Sequence, residues 1–117
     1  MTSPTLFTLF ALAAAITPAL GQTVTIADAK NHIGETATVC GKVASIQTAP
    51  ERSGSPTFIN LDSAYPKQDF VIVIWEEDRQ DFETLPPQGA HVCATGKLGS
   101  FKGVPQIVVR FPWQLNR

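Results

Sequence analysis

Cys40 and Cys93 are the only cysteines in the chain, and each lies in a short alternating run with a Gly-Lys pair close behind it: "TATVCGKV" at 36–43 and "HVCATGKL" at 91–98. Two thiols can bridge, hold a metal or act as nucleophiles. Zinc would need His32 and His91 as further ligands, yet no CxxC or HxxxH spacing accompanies them. A reactive thiol needs a cationic neighbour or a helix N-terminus to lower its pKa, and nothing in either run marks one. Strand alternation supplies the third option. Val39, Gly41 and Val43 share one face, with Cys40 and Lys42 on the other. In the second run Val92, Ala94, Gly96 and Leu98 oppose His91, Cys93, Thr95 and Lys97. Both cysteines therefore point away from the expected core, and on antiparallel neighbours they can meet directly. A Cys40–Cys93 disulfide is expected.

Other catalytic constellations are missing from the sequence. The histidines sit in no triad context, and Asp62 and Asp69 match no acid-pair spacing. There is no glycine-rich phosphate loop, GxSxG or HExxH. The acidic run "EEDRQDFE" at 76–83 can be read as a cation site or as a solvated face, and the solvated face is the simpler reading. A binding protein is expected rather than an enzyme, with no metal and no cofactor.

An even cysteine count is read together with compartment. The first charged side chain is Asp28. Before it, an apolar stretch from Leu6 to Ile16 is followed by Pro18 and the small-residue pattern Ala19-Leu20-Gly21. That layout is a secretory signal peptide, residues 1–21, although no Lys or Arg precedes the apolar part. The apolar run is shorter than the roughly 20 residues that span a bilayer. No cysteine stands at the cleavage position to carry a lipid. A periplasmic or secreted domain over residues 22–117 is expected, without a membrane anchor.

Positioning these residues requires a succession of strands. "IADAKNHIG" reads as a short helix with Ile26, Ala29 and Ile33 on one side, Gly34 as its stop and His32 at the surface. A first strand covers 36–48. "APERSGSPT" follows as a mobile loop punctuated by Pro50, Gly54 and Pro56. "PTFINLD" is a second strand, with Ile59 and Leu61 facing one way and Phe58, Asn60 and Asp62 the other. "DFVIVIW" is a third, apolar on both faces and so covered on both. "EEDRQDFETL" is a helix or helical loop ended by Pro86-Pro87. The fourth strand covers 91–101, Lys102-Gly103 makes a tight turn, and "VPQIVVRF" is the fifth. The fold class is all-β: a β-barrel with minor helix. Five strands with a helical insertion between the third and fourth is the order of the OB-fold, a Greek-key barrel in which the first strand lies antiparallel to the fourth. The cysteine pairing asks for the same neighbours.

The segments "IGETATVCGKV", "PTFINLD", "FVIVIWEEDRQDF" and "VCATGKLGSFKGVPQIVV" resemble a family of small bacterial OB-fold proteins with export signals, often described as nucleic-acid or DNA-binding. The likeness runs from about Ile33 to Pro112, and its last block carries the "TGK…G.PQIVV" pattern that recurs in OB modules. It speaks to fold more than to function.

On such a barrel the ligand face is formed by strands two and three with the loops after strands one and four. Single-stranded nucleic acid needs aromatic platforms for its bases and cations for its phosphates. Phe58, Asn60 and Tyr65 supply the first face, Lys42 and Arg52 lie on and beyond strand one, and Phe101 and Lys102 sit at the tip between strands four and five. Arg110 is placed on the outer face of strand five. Nine basic and ten acidic residues give a net charge of −1, unlike most nucleic-acid binders. Outside 76–83, however, eight bases face five acids, so a basic face is compatible with the total. Single-stranded nucleic acid is the expected partner, with an exported protein, peptide or glycan in the same groove as the alternative.

Overall fold

The computed structural model describes residues 22–117, so the expected leader at 1–21 lies outside the described residues. The fold is mostly β. Its strands are β1 (Gln22–Val24), β2 (Thr36–Thr48), β3 (Thr57–Leu61), β4 (Phe70–Ile74), β5 (His91–Phe101), β6 (Val104–Val108) and β7 (Leu115–Asn116). One helical turn, α1 (Glu76–Arg79), follows β4. The sheet order is β1-β2-β3-β4-β6-β5-β7, and β2 also pairs with β5, so five of the strands close into a ring.

Two long strands make the closure possible by changing partners halfway. β2 pairs antiparallel with β5 from Thr36↔Lys97 to Lys42↔His91, then with β3 from Val43↔Leu61 to Thr48↔Thr57. A register shift between Val43 and Ser45 marks the changeover. Asp62, in the left-handed region at φ 66°, fills the gap there. Its N–H donates to the Lys42 carbonyl at 2.8 Å, and its Oδ1 accepts from the Lys42 N–H at 3.2 Å.

Alternation decides which side chains enter the ring. Val39, Val43, Ile59, Leu61, Ile72, Ile74, Val92, Leu98 and Ile107 are enclosed, with Phe70 the largest of the fully buried side chains. β4 is buried on both faces along its whole length, as its unbroken apolar run requires. Phe82 closes the core beyond α1.

The alternation also sets Cys40 opposite Cys93 on the outward side of the β2–β5 ladder, where they form a disulfide. Beside it the Thr38 and Thr95 hydroxyls meet at 2.7 Å. A bridge closing a 53-residue separation stabilises the fold by about 4 kcal/mol through the unfolded chain. Such a bond points to a non-cytoplasmic location. Among the described residues no helix is long and apolar enough to cross a membrane.

Three local expectations change. The segment expected as a helix from Ile26 to Gly34 contains only a 3₁₀ turn, Ala29–Asn31. Its backbone bonds span three residues, Asn31 N–H to Asp28 O at 2.9 Å and His32 N–H to Ala29 O at 3.0 Å, so the chain runs as successive tight turns rather than a helix. Ile33 consequently stands exposed rather than on a buried stripe. The acidic segment, expected as a helix or helical loop, is helical for one turn only, because Phe82 drops into the core and Arg79 Nη1 bonds its carbonyl at 3.0 Å. Finally, two short strands escaped the sequence reading. β1 runs parallel to β2, and β7 pairs antiparallel with β5 at Cys93 and Ala94.

Candidate functional site

Phe58 points out of the ring, since its neighbours Thr57 and Ile59 are turned inward and buried. It pairs across the ladder with Val73 and Gln47, so the outer face of β3 and β4 forms the floor of a hollow. An open groove of about 390 Å³ lies there, lined by Arg52, Ser53, Pro56, Phe58, Val73, Trp75, Phe101 and Gln106.

The 49–56 loop is folded over this floor. Ala49 N–H donates to the Pro56 carbonyl at 2.9 Å, and Ser55 N–H to Arg52 O at 2.9 Å. Gly54, at φ 81°, lies so close to the Trp75 ring that a Cβ would come within 2.9 Å of Cε3. Glu76 N–H completes the join by donating to Gly54 O at 3.1 Å. The segment expected as a mobile loop is thus pinned to the end of β4. Across the groove, Lys102 at φ 51° and Gly103 at φ 81° turn β5 into β6 and set Phe101 at the rim.

Arg52 is the hub. Its guanidinium carbon lies 5.7 Å from the Phe58 ring centroid and 5.3 Å from that of Phe101. The Lys102 ammonium stands 5.5 Å from the Phe101 ring. Two aromatic faces and two cations thus form one continuous patch, and the groove lining includes no carboxylate.

Four sequence-derived candidates, Arg52, Phe58, Phe101 and Lys102, are therefore brought together. The other four are not. Asn60 shares the outward parity of Phe58, but it is 0% exposed, and its Nδ2 donates to Ser45 Oγ at 3.0 Å. Its Nδ2 is taken by Ser45 of β2 and its Oδ1 is shielded from solvent, so Asn60 presents no exposed group to a ligand. Lys42 is exposed beside Asp62, Gln88 and Gly89 in a different hollow. Tyr65 stands exposed in the β3–β4 loop, where the Tyr65–Pro66 peptide is cis. Arg110 lies beyond the end of β6, its Nε 3.7 Å from Asp78 Oδ2 and its guanidinium carbon 5.8 Å from the Phe111 ring. Trp75 is the residue that sequence reasoning missed. Its parity with Val71 and Val73 on the third strand was the available signal.

His32 belongs to a separate surface network. Its Nδ1 lies 3.0 Å from Glu35 Oε1 and its Nε2 3.0 Å from Asp28 Oδ2. The bond to Glu35, then that to Asp28, holds the imidazole pKa above its usual value. The bond from Asn31, then that to His32, holds the Asp28 carboxyl low. Gln22 Nε2 donates to Glu35 Oε1 at 2.7 Å, tying β1 to this network. Among the described residues no group of three or more His, Cys, Asp and Glu is arranged to hold a metal ion.

The chain matches no protein-family model and no curated protein sequence. Solved structures do resemble it. OBody AM1L10, bound to hen egg-white lysozyme, superposes with a TM-score of 0.56 at 19% identity, covering 88% of this chain and all of its own. A Leishmania major Friedlin chain assigned as an aspartyl-tRNA synthetase gives 0.55 at 9% identity over 90% of this chain, which spans only 22% of that protein. A Klebsiella pneumoniae lipoprotein described as nucleic-acid-binding gives 0.47 at 14% identity over 71% of this chain. At that TM-score the likeness carries no functional weight. What the first two share with this chain is the fold.

Proposed function

We propose that this chain is an exported OB-fold binding module, a binder rather than an enzyme, whose Phe58–Phe101 groove takes single-stranded nucleic acid. The strand order supports the fold assignment: β2-β3-β4-β6-β5 closing on β2 is the connectivity of a five-stranded Greek-key barrel. The groove occupies the face of β3 and β4 between the 49–56 loop and the β5–β6 turn, where that architecture offers its ligand surface. The observation that carries the ligand class is Arg52 set against two aromatic rings with Lys102 beside them. Bases stack on aromatic faces whatever their sequence, and the two cations answer the phosphates between them. A periplasmic or secreted location fits the disulfide and the 1–21 segment.

Fluorescence anisotropy with a labelled single-stranded oligonucleotide, at about 50 and 200 mM salt, tests this. Binding should be measurable at the lower concentration and weaken at the higher. A second reading, a protein or peptide ligand in the same groove, is favoured by the OBody of similar fold that is bound to a protein. It would prevail if no oligonucleotide bound at either salt concentration.

A further inference from the structure

The strongest feature outside the groove is at the C-terminus. Phe111 and Trp113 are exposed at 51% and 66%, and their rings are parallel within 6° with centroids 6.4 Å apart. Exposed aromatic side chains on a loose tail would mean little. These are held. Gln114, nearly buried, accepts hydrogen bonds at Oε1 from the N–H groups of Arg110 (2.8 Å) and Phe111 (2.9 Å), and its Nε2 donates to the Thr95 carbonyl at 3.0 Å. Gly96 makes room for that clamp, since a Cβ there would stand 3.2 Å from Gln114 Nε2. β7 then ties the segment to β5. The fold thus fixes two large apolar rings and points them at solvent, a pre-organisation that favours docking over burial.

The surroundings select the partner's charge. The adjoining hollow is lined by Asp81, Phe82, Glu83, Thr84, Pro86, Pro112, Leu115 and Arg117. The flanking 76–83 segment holds five of the chain's ten acidic residues. Arg79, Arg110 and Arg117 stand against these five acids, so acidic side chains remain in excess and disfavour a phosphate chain. Arg110 displays the chemistry that this surface accepts: a guanidinium laid over an aromatic ring with a carboxylate at its edge. We propose that the Phe111–Trp113 pair and the acidic 76–83 segment form a docking surface for a Lys- or Arg-bearing segment of a partner protein. The incoming cation lies on the exposed Trp113 face, and Asp81 and Glu83 take the charges on either side.

The probe is a fluorescein-labelled peptide of alternating Arg and Gly, with alternating Glu and Gly as the control, titrated with the full chain. The Arg-Gly peptide should bind. Trp113→Ala should weaken it by roughly tenfold, as for an interface anchor. Asp81→Asn with Glu83→Gln should weaken it further and flatten its salt dependence, and Phe58→Ala should leave it unchanged. Because Trp113 is exposed, its variant should melt at the parent temperature. Equal binding by Trp113→Ala, by the Glu-Gly control, or no binding at all overturns the proposal. So does a concentration-dependent dimer in sedimentation that Trp113→Ala abolishes, which would make the occupant a second copy. An oligonucleotide affinity that falls in Trp113→Ala as far as in Phe58→Ala would overturn it too, and would join this surface to the groove.

Discussion

The groove and the C-terminal pair use the same residue types under opposite charge. In the groove, Phe58, Phe101 and Trp75 are accompanied by Arg52 and Lys102, and no carboxylate lines it. Around Phe111 and Trp113 the adjoining hollow contributes Asp81 and Glu83 against Arg117, and Arg110 is already matched to Asp78. An aromatic platform is indifferent to ligand class, because any planar or cationic group can lie on it. The neighbouring charge makes the choice. A net charge of −1 therefore describes neither surface, since the two carry local charges of opposite sign that cancel in the total.

Breaking the scaffold that carries both surfaces should have the largest effect. Converting Cys40 and Cys93 to Ala should cost about 4 kcal/mol of stability, read as a lower denaturant midpoint. β7 pairs with Cys93 itself, so the C-terminal platform should loosen earlier than the groove, visible as faster amide exchange at Asn116 than at Phe58. Two free thiols per chain in exported protein would contradict the bridge outright.

Phe58→Ala separates the surfaces from the groove side. It should lose about 1–3 kcal/mol of oligonucleotide affinity, the worth of one stacked base, with little change in melting temperature. A sharp fall in melting temperature with no specific loss of binding would make Phe58 a core residue. Gln114→Ala is the counterpart at the C-terminus. Removing the clamp leaves the Arg110 and Phe111 amides without their partner, at about 1–3 kcal/mol if they stay shielded from water. Trp113 fluorescence should shift while oligonucleotide binding persists.

Lys102→Ala is subtler. It should lower the slope of log affinity against log salt by about 0.7, one phosphate of a single strand, and leave the fold intact. The smallest effect belongs to neither surface. The His32 pKa is raised in the folded chain, so its contribution to stability is fully present below 6.5, the unfolded value, and is lost as pH rises through the folded value. Thermal melts across that window should decline slightly, and His32→Gln should flatten the decline.

Alternation made much of this legible before any coordinates. It placed Cys40 against Cys93, turned Phe58 outward, and set the limits of β2 and β5, because a strand between water and a core repeats every second residue. It could not say that Asn60, facing outward, would be fully enclosed, since parity gives direction and not what lies there. Nor could it join Arg52 to Phe101, residues from two loops that meet only once the ring has closed. Arg110 was misplaced because the "VVRF" pattern continues past the last ladder bond, where Gln114 takes over the backbone. The helix expected at 26–34 failed because its N–H groups bond carbonyls three residues back, in a run of tight turns that an apolar spacing of three and four does not distinguish from a helix.

The partner exchange of β2 and β5 has a consequence for behaviour in crowded surroundings. Each of these strands has a single ladder partner in its second half: residues 45–48 of β2 pair only with β3, and 99–101 of β5 only with β6. Among the described residues, the open edges of the sheet are these short stretches together with β1, three residues long, and β7, two. A passing extended chain needs a run of unpaired N–H and C=O groups to add itself to a sheet. Edges of two to four residues offer few such groups to hold one in register. Short edges of this kind disfavour aggregation by strand addition. Removing the last three residues would lengthen the open edge by only the two β5 positions that β7 now covers, Cys93 and Ala94.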